Sequence, residues 1–130
     1  MLTIKTRVKP SSIKGAGEGL YTTESLVKGQ VIWKRDITDI VVVENEFNQL
    51  QEMELEGWVE KYGTVDEDGN WFIDNDDCKY CNHSLTPNIV FLESVGVALE
   101  NMSPNTELVC DYYTITDKKH ADKILNNQTP

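Results

Sequence analysis

The sequence predicts a mainly β fold: one domain assembled from several small sheets. Three observations lead there. Short runs of β-branched and aromatic residues recur along the chain, Gly, Pro, Asn and Asp clusters separate them at short intervals, and only one stretch reads as helical. With 130 residues and 39% hydrophobic content, the chain suits a single core rather than two domains.

Taken in order, Val8-Lys9-Pro10-Ser11-Ser12 leads into the glycine turn Gly15-Ala16-Gly17-Glu18-Gly19, and Leu20 to Thr23 reads as a short strand. A second turn at Lys28-Gly29-Gln30 precedes the strand Val31–Lys34 and a β-branched run from Ile37 to Val43. The helical stretch runs from Glu44 to Tyr62. It carries Phe47, Leu50, Met53, Leu55, Trp58, Val59 and Tyr62 at a loose helical spacing and stops at Gly63. Asp66 to Asn70 is a turn before the buried strand Trp71–Ile73. Two strands, Ile89–Glu93 and Val95–Leu99, flank turn residues Ser94 and Gly96, and a last strand spans Glu107 to Tyr113 after the turn at Ser103-Pro104-Asn105. The polar tail, residues 114–130, holds a short helix around His120 to Leu125.

Composition narrows the function. The formal charge of -10 repels nucleic-acid phosphates and attracts basic partners, so direct binding to nucleic acid is not expected. No stretch has the length of apolar residues that a membrane span needs, and residues 1–10 lack the apolar core of a secretion signal. Three cysteines, Cys78, Cys81 and Cys110, cannot all pair with one another, which argues for a reducing, intracellular compartment, cytoplasm or nucleus.

The stretch CKYCNHSLTPN, residues 78–88, raises a question of its own: a C-x-x-C followed by His83 resembles half of a zinc site. His83 and Cys110 could complete four ligands, but the spacing fits none of the common paired arrangements. Small buried hydrophobes explain the cysteines more simply, and no metal site is expected.

Three segments in order supply a better explanation. Lys14-Gly15-Ala16-Gly17-Glu18-Gly19-Leu20-Tyr21 resembles K-G-x-G-x-G-L-F; Asn82-His83-Ser84 with Pro87-Asn88 resembles N-H-S-x-x-P-N; Glu107-Leu108-Val109-Cys110-Asp111-Tyr112 resembles E-L-x-Y-D-Y. These are the motifs of the SET-domain protein lysine methyltransferases, and the resemblance spans about residues 3–113, nearly the whole chain. It implies a SET domain of the β-clip type over residues 1–113, several small sheets with one short helical insert and a C-terminal pseudoknot. It also implies S-adenosylmethionine as cofactor and a lysine in a basic protein or peptide, such as a histone tail, as substrate. The alternative is a weak or inactive SET fold that grips a basic peptide.

Site residues follow from the same resemblance. Ala16, Gly17 and Glu18 would meet the cofactor's amino-acid end, where glycines let the main chain approach a ligand closely. Asn82 would serve that end with its amide donors and acceptor, His83 would offer its main chain to the adenine, and Tyr112 would place a hydroxyl near the transferring methyl group. Phe91, Cys110 and Tyr80 would line the substrate channel. Cys110 stands where the family carries its first Tyr, and Leu85 stands where zinc-binding members carry a Cys. Trp71 is read as core. With no cysteine-rich module after Tyr113, the adenine needs another cover: Ile115, Ile124 and Leu125 on a folded-back tail, the substrate, or a second copy in a homodimer, the last being preferred.

Overall fold

The structure is a computed structural model that describes residues 1–127; residues 128–130 of the expected tail lie outside the described residues. The strands are β1 (Thr6–Pro10), β2 (Glu18–Thr22), β3 (Val31–Lys34), β4 (Ile40–Val42), β5 (Thr64–Val65), β6 (Trp71–Ile73), β7 (Asn82–His83), β8 (Ile89–Phe91), β9 (Val95–Ala98) and β10 (Val109–Cys110). The helices are α1 (Glu44–Glu52), α2 (Gly57–Tyr62) and α3 (Lys118–Asn127), with 3₁₀ turns at Asp77–Tyr80 and Tyr112–Thr114. No helix among the described residues is long and apolar enough to cross a membrane.

Four small sheets result. β1 pairs antiparallel with β2 across the glycine turn, Thr6 opposite Thr22 and Pro10 opposite Glu18. Gly15 and Gly17 hold φ of 80° and 77°, a region that costs other residues strain. β3, β9 and β8 form one three-stranded sheet, β4, β6 and β5 another, and β7 runs parallel to β10. Leu20, Ile32, Ile89 and Leu108 are among the residues of the main core, while Phe47, Val59, Val65, Trp71 and Ile73 form a second under the helices. Trp71 stacks on Phe47 with ring centroids 4.6 Å apart, so its core reading holds.

The helical insert differs from the expected single helix. α1 ends where Leu55 N–H donates to the Leu50 carbonyl at 2.8 Å and Glu54 turns to φ 59°; α2 starts afresh at Gly57. Twelve residues at about 100° each leave Phe47 and Val59 about 120° apart on a straight helix, so one rod cannot point both into the same core. Met53 and Leu55, counted as helix-face residues, are left exposed.

Two strands, β4 and β10, keep less than half of their predicted length. Asp36 accepts from the Thr38 N–H and makes a turn of the residues before β4. At the third motif, Asp111 accepts from the Tyr113 N–H at 3.0 Å, and the backbone coils after Cys110. Tyr112 and Tyr113 therefore do not alternate as strand neighbours; Tyr113 is exposed and donates its hydroxyl to Asp122 at 2.6 Å. β1 is not legible beforehand, because Arg7 and Lys9 interrupt it and only pairing with β2 makes it a strand.

Candidate functional site

Glu107 joins the three motif segments, accepting from the Tyr21 hydroxyl of the first at 3.4 Å. Its carboxylate accepts from the Ser11 hydroxyl at 2.7 Å, from the Ser12 amide at 3.0 Å and hydroxyl at 2.7 Å, and from Asn82 Nδ2 at 3.3 Å. Burial works to raise its pKa, but these hydrogen bonds outweigh it and hold the carboxyl below its ordinary value of 4.5. A Cβ on Gly19 would stand 2.6 Å from Glu107 Oε2, so the third glycine of the turn is the space in which the carboxylate sits. Glu107 lies inside a quoted motif, yet sequence reasoning assigned it no role.

Asn82 donates its second amide hydrogen to the Glu18 carbonyl at 2.8 Å. Both donors are thus spent on the protein, which corrects the expectation that they would face a ligand; no hydrogen bond among the described residues reaches its Oδ1. Asn88 bridges the main chain of the third motif, donating to the Glu107 carbonyl at 2.8 Å and accepting from the Val109 N–H at 2.9 Å. With β7 paired to β10 and Ser84 N–H donating to the Cys110 carbonyl at 2.9 Å, residues 107–110 are held by both arms of the 82–88 loop. His83 Nδ1 accepts the Tyr112 N–H at 3.0 Å. An atom that accepts this N–H points its lone pair at the backbone, so the 3.7 Å approach of Asp111 Oδ1 to it is not an ion pair.

Two cavities meet around Tyr112. A channel of about 270 Å³ is lined on one side by Trp33, Phe72, Phe91 and Cys110; a wider cleft of about 710 Å³ is lined by Gly15 to Glu18, Tyr80 and Asn82. Lys61, Tyr62, Lys79, Tyr112 and Ile124 line both. Phe91 meets Trp33 edge to face at 5.4 Å. Ala16, Gly17, Glu18, Asn82 and Tyr112 line the cleft, and Phe91 and Cys110 line the channel. Tyr80 and His83 sit elsewhere than expected. Tyr80 lines the cleft and not the channel, because the 3₁₀ turn at Asp77–Tyr80 sets its ring against Tyr62 at 5.7 Å. His83 is absent from the cleft lining; its ring packs under Tyr112 at 5.3 Å. Tyr62, at the junction, was read only as part of a helix face.

The Tyr112 hydroxyl donates to the Cys81 carbonyl at 2.8 Å. Burial pushes its phenol well above the ordinary range, so the group stays protonated and offers oxygen lone pairs rather than a base. Cys78, Cys81 and Cys110 are free and buried. Burial raises the Cys78 thiol, and a hydrogen bond with Cys110, then burial, raises Cys81, so neither is a ready thiolate. Among the described residues no group of three or more His, Cys, Asp or Glu is arranged to hold a metal ion.

The channel also carries carboxylates: Asp39, Asp74 and Glu93. Asp74 accepts from Trp33 Nε1 at 3.1 Å. Burial first, then the charges of Asp39 and Asp76, push its carboxyl up to about 6. Between the ordinary value of 3.8 and about 6 the folded chain keeps a proton that the unfolded chain has released. Stability therefore falls as pH rises through that window, by roughly 3 kcal/mol in full. Asp74→Asn keeps an acceptor for Trp33 and removes the buried charge, so it should melt several degrees higher than wild type at pH 7 and show no such gain near pH 4. Thermal melts across that range check this; a variant no more stable than wild type at pH 7 refutes it.

The tail supplies part of the cleft wall. α3 is anchored by His120, whose Nε2 is 3.1 Å from the Gly63 carbonyl and whose ring stands edge-on to Trp71 at 4.5 Å. Ile124 and Lys123 then face the cleft, and Lys123 pairs with Glu60 across it.

The fold of small sheets and the meeting of three motif segments define a SET domain. The SET domain family model matches residues 17–113, and the chain belongs to that family. No curated protein matches the sequence. Solved structures share the fold. A chain of ctPRC2 in an autoinhibited conformation bound to S-adenosylmethionine aligns with a TM-score of 0.71 at 18% identity, over 98% of this chain and 17% of that one. A chain of Chaetomium thermophilum Polycomb Repressive Complex 2 bound to GSK126 aligns at 0.70 and 18% identity, over 95% and 17%. A humanized mutant of that complex, bound to the same inhibitor, aligns at 0.69 and 17%, over 88% and 16%. This chain spans about a sixth of the length of each of those chains, and at such identities the likeness is one of fold.

Proposed function

We propose that this chain is an S-adenosylmethionine-dependent protein lysine methyltransferase. The observation that carries the reading is the meeting of an aromatic-walled channel and a glycine-edged cleft at one half-buried tyrosine, Tyr112. The cleft's volume lies in the range of small-molecule sites. Its residues suit the cofactor: Ala16, Gly17 and Glu18 present main chain at the cleft, and the free Oδ1 of Asn82 is an acceptor for an ammonium group. S-adenosylmethionine, when bound, supplies a methyl group on a positively charged sulfur.

The chain's own residues do the positioning. Tyr112 is the catalytic residue: its hydroxyl hydrogen is committed to Cys81, which leaves its lone pairs to orient polarised C–H groups and the amine. His83 is a positioning residue that acts through the Tyr112 backbone. The substrate lysine must lose its proton, against an ordinary pKa of about 10.4. A channel walled by Trp33, Phe72 and Phe91 desolvates the ammonium and favours that loss. Arg35, Lys61 and Lys79 balance Asp39, Asp74 and Glu93 in the channel lining, so the preference for a basic protein rests on the formal charge of -10 of the whole chain. The need that favoured a homodimer is met in part by α3 of the same chain, which walls the cleft with Ile124.

The binding-module alternative draws on Cys110, whose thiol brings no hydroxyl to the channel. Incubation with methyl-labelled cofactor and a panel of basic proteins decides between the two. Labelled lysine supports the enzyme; cofactor binding by calorimetry without any transfer supports the module. The same experiment reads product state. Phe91 offers no hydroxyl to restrain a methylated amine, so mass spectrometry after exhaustive reaction should show more than one methyl group on the target lysine; monomethyl product alone refutes this.

A further inference from the structure

Among the described residues that line the cleft, one solvent-shielded polar atom has no hydrogen-bond partner. Glu56, at the start of α2, lines the cleft, and its Oε2 is shielded from solvent with no hydrogen-bond partner among the described residues. Leaving a shielded carboxylate oxygen unpaired is costly, and folded proteins do so rarely. The cleft's cations are engaged elsewhere. Lys123 pairs with Glu60, Lys79 donates to the Asp76 carbonyl at 3.0 Å, and Lys61 lies over the Tyr62 ring at 5.1 Å. What is missing at Oε2 is a hydrogen-bond donor, and Glu56 lines a cavity large enough to bring one in once the side chain turns toward it.

We infer that Glu56 is a ribose-recognition residue: its carboxylate accepts hydrogen bonds from the vicinal hydroxyls of an adenosyl ligand in this cleft. The inference rests on the methyltransferase reading and adds a residue outside the three motifs. Under that reading the amino-acid end of the ligand meets Gly17 and Asn82 on other elements, which leaves the nucleoside half for the α1–α2 junction. Two adjacent hydroxyls match two carboxylate oxygens, the same chemistry by which acidic residues hold ribose in dinucleotide sites. Glu60, the neighbouring acid in the cleft, is neutralised by Lys123, so it does not compete for this role.

Calorimetric titration with S-adenosylhomocysteine, which measures binding without catalysis, tests the assignment. Glu56→Gln should bind about tenfold to a hundredfold more weakly than wild type. An analogue lacking both ribose hydroxyls should bind wild type and Glu56→Gln alike. The substitution breaks no hydrogen bond of Oε2, so the unliganded variant should melt no lower than wild type. Equal affinity of both chains for S-adenosylhomocysteine, or a deficit that persists with the analogue, overturns the role of Glu56. Failure of wild type itself to bind S-adenosylhomocysteine overturns the methyltransferase reading, and this one with it.

Discussion

Tyr112→Phe should fold and bind cofactor but lose methyl transfer by at least about a hundredfold, the scale on which a single preorganised electrostatic contact acts. The change removes one oxygen. Among the described residues its hydroxyl makes one hydrogen bond, to the Cys81 carbonyl, so stability should fall by about 1–2 kcal/mol while the ring stays packed beside His83. Loss of rate with retained cofactor affinity separates a catalytic role from a structural one. Single-turnover transfer of labelled methyl, measured beside calorimetric binding, reads both quantities, and equal rates for variant and wild type remove Tyr112 from the mechanism.

Glu107→Ala should have the larger effect on the protein as a whole. It strips the acceptor from Ser11, Ser12 and Asn82 together, and charge-assisted bonds of this kind predict a loss of roughly 2–3 kcal/mol. The glycine turn and Asn82 lose their shared anchor, so affinity for S-adenosylhomocysteine should fall as well, although Glu107 is not among the residues lining the cleft. The sign with pH is definite. The folded pKa lies below 4.5, so the stabilisation is present above that value and is lost as pH falls through the lowered one. Urea unfolding of wild type and variant at pH 7 and again under acid should show a gap that narrows on acidification; a constant gap contradicts the charge-assisted account.

Much of the site was legible because its parts are local. A glycine turn needs glycines in a row, and Gly15 and Gly17 do take the left-handed region. Asn82 and Asn88 lie in one short loop, and Tyr112 follows a strand whose β-branched and apolar residues announce it. The strands β3 and β6 carry their own apolar signature and fall where expected. The misreadings have both causes, core packing that breaks a local pattern and short turns that the pattern does not show. The helical insert breaks because two faces must reach one core, Tyr80 swings to the cleft because a 3₁₀ turn aims it at Tyr62, and the third motif coils at Asp111 before a strand can finish.

Composition and motif order by themselves determined the mainly β class and the family, because those properties depend on residue type and short spacing. Only the tertiary structure decided what each residue does in the site. Glu107 becomes the common anchor through contacts across 95 and 96 positions of chain, His83 turns its ring to the Tyr112 backbone across 29, and α3 becomes a cleft wall through His120 binding the Gly63 carbonyl across 57. Among the described residues, the same packing leaves Glu56 Oε2 without a hydrogen-bond partner. Hydrogen bonds and burial at such separations follow from how four small sheets are stacked, and periodicity along the chain carries no record of that stacking.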